Sequence, residues 1–120
     1  MRIVTLLENT ACVPALCAAH GLSLYVETSR HRVLFDMGPD ERFLRNAETL
    51  GIDLGAVDAA VLSHGHYDHG GGLRAFCEAN THADIFIHMD AFGDFYAAQA
   101  GKEPRYIGLD PEIWELESRI

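Results

Sequence analysis

The chain passes through Ala59-Ala60-Val61-Leu62-Ser63-His64-Gly65-His66-Tyr67-Asp68-His69-Gly70-Gly71-Gly72-Leu73 near its midpoint. Ala59 to Leu62 is a short unbroken apolar run after Asp58, the pattern of a strand covered on both faces inside a layered sheet. It leads directly into three histidines and an aspartate within six residues, His64 to His69. On extended backbone, positions i and i+2 project to the same side, so His64 and His66 can point at one ion. Imidazole nitrogen is a favoured donor for zinc and also serves iron and nickel. Asp68 takes the next alternate position and His69 follows it directly. Adjacent side chains diverge on a strand, so bringing both to one site predicts a bend there. Gly65 and the run Gly70 to Gly72 supply backbone freedom for it. Strand end, loop and helix start is where sites in layered α/β folds lie. A histidine-bearing surface loop without a ligand has no reason to combine this spacing with these glycines, so metal binding is expected. A helical His-Glu-x-x-His site is excluded by the spacing.

Upstream, Arg2 to Leu7 reads as a first strand ending in Glu8-Asn9-Thr10, and Pro14 to His20 as one or two helical turns stopped by Gly21. Leu22 to Glu27 and Arg32 to Phe35 read as two strands joined by a polar turn. Pro39 is placed to begin a helix with Phe43, Leu44, Ala47 and Leu50 on one face and Gly51 at its end. Downstream, a helix from Leu73 to about Ala79 would pack Leu73, Phe76 and Cys77. Asp84 to His88 reads as a strand and Ala91 to Ala100 as a helix. Met89, Phe92, Phe95 and Tyr96 have helical spacing and are expected in the core, with an interface or a substrate wall as the alternatives. The tail holds a short extended piece at Arg105 to Ile107 and an amphipathic end with Ile113, Trp114 and Leu116. Alternating strands and helices after residue 30 predict an α/β layered fold, with the opening strands forming a hairpin or meander.

Composition bounds the function. One hundred and twenty residues, 48% apolar and 22% charged, predict a single folded domain over 1–120 with a core that needs no disulfides. Nine basic residues against eighteen acidic give a formal charge of −9, a field that repels phosphate backbones and anionic lipid. Nucleic-acid and membrane partners are therefore not expected, and no apolar run approaches the ~20 residues that cross a bilayer. Met1 to Leu7 is too short for a secretory core, and Cys12, Cys17 and Cys77 are too few and irregular for a disulfide framework. A cytoplasmic location is the expectation, with Cys12 and Cys17 as small buried hydrophobes.

Val61 to Leu73 resembles the signature motif of the metallo-β-lactamase-fold metallohydrolases. Leu34-Phe35-Asp36-Met37-Gly38 is similar to the strand-end Asp-x-Gly that precedes it in that family. His20 to Thr28 and Arg105-Tyr106-Ile107-Gly108 look most like the subgroup of dihydropterin ribofuranosylaminobenzene-phosphate synthase-like proteins. The resemblance implies half of an αββα sandwich, an α/β (α+β) mixed sheet with helices on one face, corresponding to the N-terminal half of the family's domain. It implies that His64 and His66 ligate a first metal and Asp68 and His69 a second, with zinc expected at both and iron or manganese as alternatives. Asp36 would orient a ligand histidine or the loop. The ions would lower the pKa of a bound water and hold the hydroxide against an ester, phosphoester or amide of a small-molecule substrate. Asp68 would orient that nucleophile and handle a proton.

The family completes its site with a histidine, a bridging carboxylate and a final histidine from a second half that this sequence does not contain. The motif gives each ion two donors, whereas a catalytic zinc takes three from protein. Among the other histidines, His31 and His82 read as solvated, His88 as an ordinary strand-end residue, and His20 as a helix C-terminal cap. A half-sandwich would also leave an apolar sheet face open to water. A homodimer paired across a two-fold axis, or a missing C-terminal half, is the expected partner. The rivals to a hydrolase are a non-catalytic metal-binding module that holds an assembly together and an inactive fragment.

Overall fold

The computed structural model describes all 120 residues. Strands β1 (Arg2–Leu7), β2 (Ser23–Glu27), β3 (Arg32–Phe35), β4 (Ala59–Leu62) and β5 (Asp84–Ile87) form one sheet in sequence order. The first two pairings are antiparallel and the last two parallel, so the sheet is mixed. In the meander β2 and β3 are joined by the short polar turn Thr28 to His31 and β1 and β2 by the longer segment Glu8 to Leu22, whereas each parallel step carries helix: α1 (Arg42–Thr49) before β4, and α2 (Tyr67–Gly70) with α3 (Leu73–Ala79) before β5. A parallel step needs such a crossover, which is why the sequence alternates strand and helix from residue 30 onward.

The two faces of the sheet differ. One register row, Val4–Tyr25–Leu34–Ala60–Ile85, faces Phe43 and Ala47 of α1 and Leu73 and Phe76 of α3 in a single apolar core. The opposite row, Thr5–Leu24–Phe35–Val61–Phe86, has no layer over it. Leu24, Phe35 and Val61 are half-buried there, and Phe86 is 59% exposed. The expected mixed sheet with helices on one face is what the chain forms, including its uncovered apolar side. No helix is long and apolar enough to cross a membrane.

Three local expectations are corrected. Pro14 to His20 forms a turn, not a helix. Buried Asn46 of α1 holds that segment: its Oδ1 accepts from the Cys17 N–H at 2.8 Å, and its Nδ2 donates to the carbonyls of Cys17 at 2.8 Å and Leu6 at 2.7 Å. Helix α1 starts at Arg42 because Asp40 accepts both the Arg42 N–H and its guanidinium, making a polar turn where Pro39 was expected to begin the helix. Ala91 to Ala100 is not a helix either. His88 caps a single 3-10 turn, Met89–Phe92, by accepting from the Asp90 N–H, and β6 (Tyr96–Ala97) then pairs with β7 (Arg105–Tyr106).

The aromatic cluster is consequently not a helix face buried in the core. Met89 is 72% exposed and Tyr96 59%, while Phe92 stacks on Trp114 at 4.3 Å from the closing 3-10 helix, Pro111–Arg119. Ile113 of that helix is buried, as its amphipathic pattern predicted. The cysteines are free thiols, but Cys12 is exposed where burial was expected, and Cys17 is half-buried.

Candidate metal centre

Strand β4 ends at Leu62 and the chain turns at once into α2, so the bend expected between Asp68 and His69 is supplied by one helical turn. His66 precedes that turn in extended conformation, and its carbonyl accepts from the His69 and Gly70 N–H groups. The glycines serve a different purpose from the one expected. None in this stretch has positive φ. They allow close approach instead: a Cβ on Gly65 would lie 1.9 Å from the Ala91 carbonyl oxygen, on Gly71 2.1 Å from that of Pro39, and on Gly72 2.2 Å from that of Met37. The motif is thus wedged between the β3–α1 connection and the turn after β5.

Asp36 organises the site. It follows β3, is fully buried, and has φ of 58°, a left-handed conformation that Asp tolerates better than most residues. Its Oδ1 accepts from the Ser63 N–H at 2.8 Å. Its Oδ2 accepts from the Ser63 hydroxyl at 2.7 Å and from His69 Nδ1 at 2.6 Å. These bonds determine two tautomers. Because His69 donates through Nδ1, its Nε2 keeps a lone pair. Because the Ser63 proton goes to Asp36, the Ser63 oxygen accepts from His64 Nδ1 at 2.8 Å, and His64 Nε2 also keeps a lone pair. Burial pushes the His64 pKa below the usual histidine range, and the neighbouring His69 and His66 rings add to the shift. The neutral form is the one a metal requires.

His64, Asp68 and His69 each offer one ligand atom, and these atoms all lie within 4.8 Å of one another. His69 Nε2 stands 3.4 Å from Asp68 Oδ2. With the ring neutral both atoms present electron pairs, and a cation between them is the complement. Two ligand atoms of a tetrahedral zinc with bonds of ~2.0–2.1 Å are about 3.3 Å apart, so the His69–Asp68 pair has the spacing such an ion takes. His66 lies outside this group of three. Its ring meets that of His64 edge-on at 4.7 Å and that of Phe95 at 5.3 Å. The structure therefore gathers three of the four expected ligands and sets the fourth beside them.

The remaining histidines divide clearly. His31 is exposed in its turn, and His82 is exposed in the loop before β5. His88 is exposed and lines the same open cleft as His64, along with Phe95. His20 caps no helix. Its Nε2 lies 3.3 Å from Asp68 Oδ2, a neighbour that no spacing along the sequence revealed.

Residues 19–119 match the family model of the metallo-beta-lactamase superfamily. An uncharacterized protein of Methanocaldococcus jannaschii, MJ0448, is 40% identical over 114 residues, which are 94% of this chain and 42% of that protein. The 7,8-dihydropterin-6-methyl-4-(beta-D-ribofuranosyl)-aminobenzene-5'-phosphate synthase of the same organism is 34% identical over 106 residues, 82% of this chain and 36% of its own length. Among solved structures, Tm1679, described as a metal-dependent hydrolase of the beta-lactamase superfamily, superposes with a TM-score of 0.70 at 32% identity. That match covers 94% of this chain and 37% of Tm1679. The chain spans less than half the length of these relatives.

Proposed function

The chain belongs to the metallo-beta-lactamase superfamily, and from that premise we propose that it is a metal-dependent hydrolase-type domain acting on a small ester, phosphoester or amide. The observation that carries the reading is the proximity of His64, Asp68 and His69, two imidazoles and a carboxylate whose ligand atoms lie within 4.8 Å of one another. A divalent cation there would supply Lewis-acid charge and a water acidified toward neutral pH. In this reading His64 and His66 serve one ion and Asp68 and His69 a second. Asp36 keeps the donor atoms of His69 and, through Ser63, of His64 turned toward the centre. Asp68, 9% exposed, has an oxygen available to orient a water and take its proton. The identity to a synthase supports a phosphorylated or pterin-like substrate as the first class to test.

Donors from outside this chain complete the centre, because its own residues leave each ion short of three. The greater length of the relatives supports a second sheet layer, contributed by that additional length, as the cover for the open row from Thr5 to Phe86. Light scattering on the 120-residue chain separates the alternatives: a monomer fits a complementing segment, and a dimer assigns the cover to a second copy.

Elemental mass spectrometry on protein purified without chelator, combined with hydrolysis of a generic phosphodiester, tests the reading. Bound zinc, iron or manganese with turnover lost in His66→Ala and Asp68→Ala is the expected outcome. Stoichiometric metal without turnover, even when the complementing layer is supplied, would favour a structural metal module. Absence of uptake of any of these ions would exclude both.

A further inference from the structure

We propose that Asn9 and His20 form a positioning pair that fixes the side chain of Asp68. This rests on the reading of Asp68 as a residue of the metal centre. Three contacts carry it. The Gly21 N–H donates to Asn9 Oδ1 at 3.2 Å, which settles which end of the Asn9 amide bears the oxygen. The amide nitrogen therefore faces His20 Nδ1, at 3.1 Å, and can only donate to it. His20 Nδ1 is thus an acceptor, the ring proton sits on Nε2, and that protonated edge is the one 3.3 Å from Asp68 Oδ2. His20 is the opposite tautomer from His64 and His69. It is built to hold the carboxylate from outside and not to ligate the ion.

The backbone makes the same grip. The Leu22 N–H donates to the Asp68 carbonyl at 3.3 Å. Gly21, at φ of 139°, lies so close that a Cβ there would be 2.1 Å from the same carbonyl oxygen. Residues 20–22 therefore bracket Asp68 through both its main chain and its side chain. The Ala19 N–H donates to the Glu8 carbonyl at 3.1 Å, tying the segment to the end of β1 where Asn9 begins. The exposed ring of His20, 72% accessible, has no packing role that would otherwise account for its orientation.

Two measurements on the 120-residue chain test the pair. In metal-free protein, above the pH range where imidazoles protonate, long-range 15N–1H NMR should show His20 protonated on Nε2. Asn9→Ala should redistribute that proton between the two nitrogens. An Nδ1-protonated His20 in the parent protein overturns the proposal and makes the ring a ligand candidate. In the second measurement, zinc is titrated against a competing chelator. His20→Ala and His20→Asn should weaken binding about tenfold, the low end for a partner outside the ligand shell, because the contact is exposed. His20→Gln places an amide donor near the former Nε2 position and should recover affinity to within about twofold. Adding His20→Ala to Asp68→Asn should cause no further loss, since the pair acts through that carboxylate. An equal loss in the Gln and Ala variants, or additive losses in the double variant, overturns the proposal. If the parent binds no zinc, the metal reading fails on its own, and the tautomer experiment still decides for or against the pair.

Discussion

Replacing Asp36 with Asn isolates the contribution of one oxygen. Asn keeps the shape of the side chain, tolerates the left-handed backbone at φ of 58°, and retains the bond from the Ser63 N–H. Only the Oδ2 position changes, from an acceptor to an NH2 group facing two donors, the Ser63 hydroxyl and His69 Nδ1. Two hydrogen bonds to a charged acceptor, at about 1.5–3 kcal/mol each, are lost. The Ser63 hydroxyl can rotate and His69 can move its proton to Nε2, which recovers two neutral bonds of about 1 kcal/mol each. The net destabilisation is about 1–4 kcal/mol, readable as a lower urea midpoint at unchanged m-value. The same relaxation removes the lone pair that His69 turned toward Asp68. Zinc affinity should therefore fall about 10–100-fold, as for other residues that orient ligand histidines. Chelator competition measures the affinity, and 15N NMR reads the His69 tautomer. A variant that loses stability as expected yet binds zinc within about twofold of the parent would refute the orienting role and leave Asp36 as a folding residue only.

Gly72→Ala should cost about 3 kcal/mol or more, or prevent folding, because its Cβ would sit 2.2 Å from the Met37 carbonyl oxygen and 2.5 Å from Phe43; urea titration checks it. Asn46→Ala should destabilise by about 2–3 kcal/mol by leaving the backbone groups of Leu6 and Cys17 unpaired, with faster amide exchange concentrated in residues 11–17. Burial raises the pKa of the Cys77 thiol above its ordinary value of 9.0, with Arg119 and Arg74 partly opposing the shift. The folded state thus holds this proton more tightly than the unfolded chain. Cys77 should leave stability unchanged below the unfolded thiol pKa and lower it as pH rises through the folded value. Cys77→Ala should flatten that alkaline loss in urea melts, and iodoacetamide should alkylate exposed Cys12 well before Cys77.

What the sequence disclosed depended on how far apart the interacting residues lie. The strands and α3 were readable because their evidence is local: extended runs bounded by polar turns, an unbroken apolar run before the histidines, and the helical spacing of Leu73, Phe76 and Cys77. The false helix at Ala91 to Ala100 had suitable spacing, but pairing with Arg105–Tyr106 and the His88 cap prevailed, and neither is visible within that window. The turn at Pro14 to His20 has the same origin in a partner 29 residues away, Asn46. The candidate site was legible in the same graded way. His64, His66, Asp68 and His69 stood out by their spacing, although the structure sets His66 beside the other three, and Asp36 was reached through a family motif. His20 escaped because its link to Asp68 passes through Asn9 and the tight approach of Gly21, and a local reading assigned it to the end of a helix that does not form.

That distribution has a mechanical consequence. The candidate centre is held from the β3 end through Asp36, which orients His69, and from the segment after β1 through Asn9 and His20, which meets Asp68. The two supports approach the centre from separate connections at the same end of the sheet. Loosening the Asn9–His20 support should leave the fold nearly intact while freeing the carboxylate to turn away from the centre. The open sheet face, by contrast, is a property of whole strands and cannot be repaired or broken by one side chain. Substitutions at Asn9 or His20 should therefore alter zinc affinity, read by chelator competition, without altering the association state, read by light scattering.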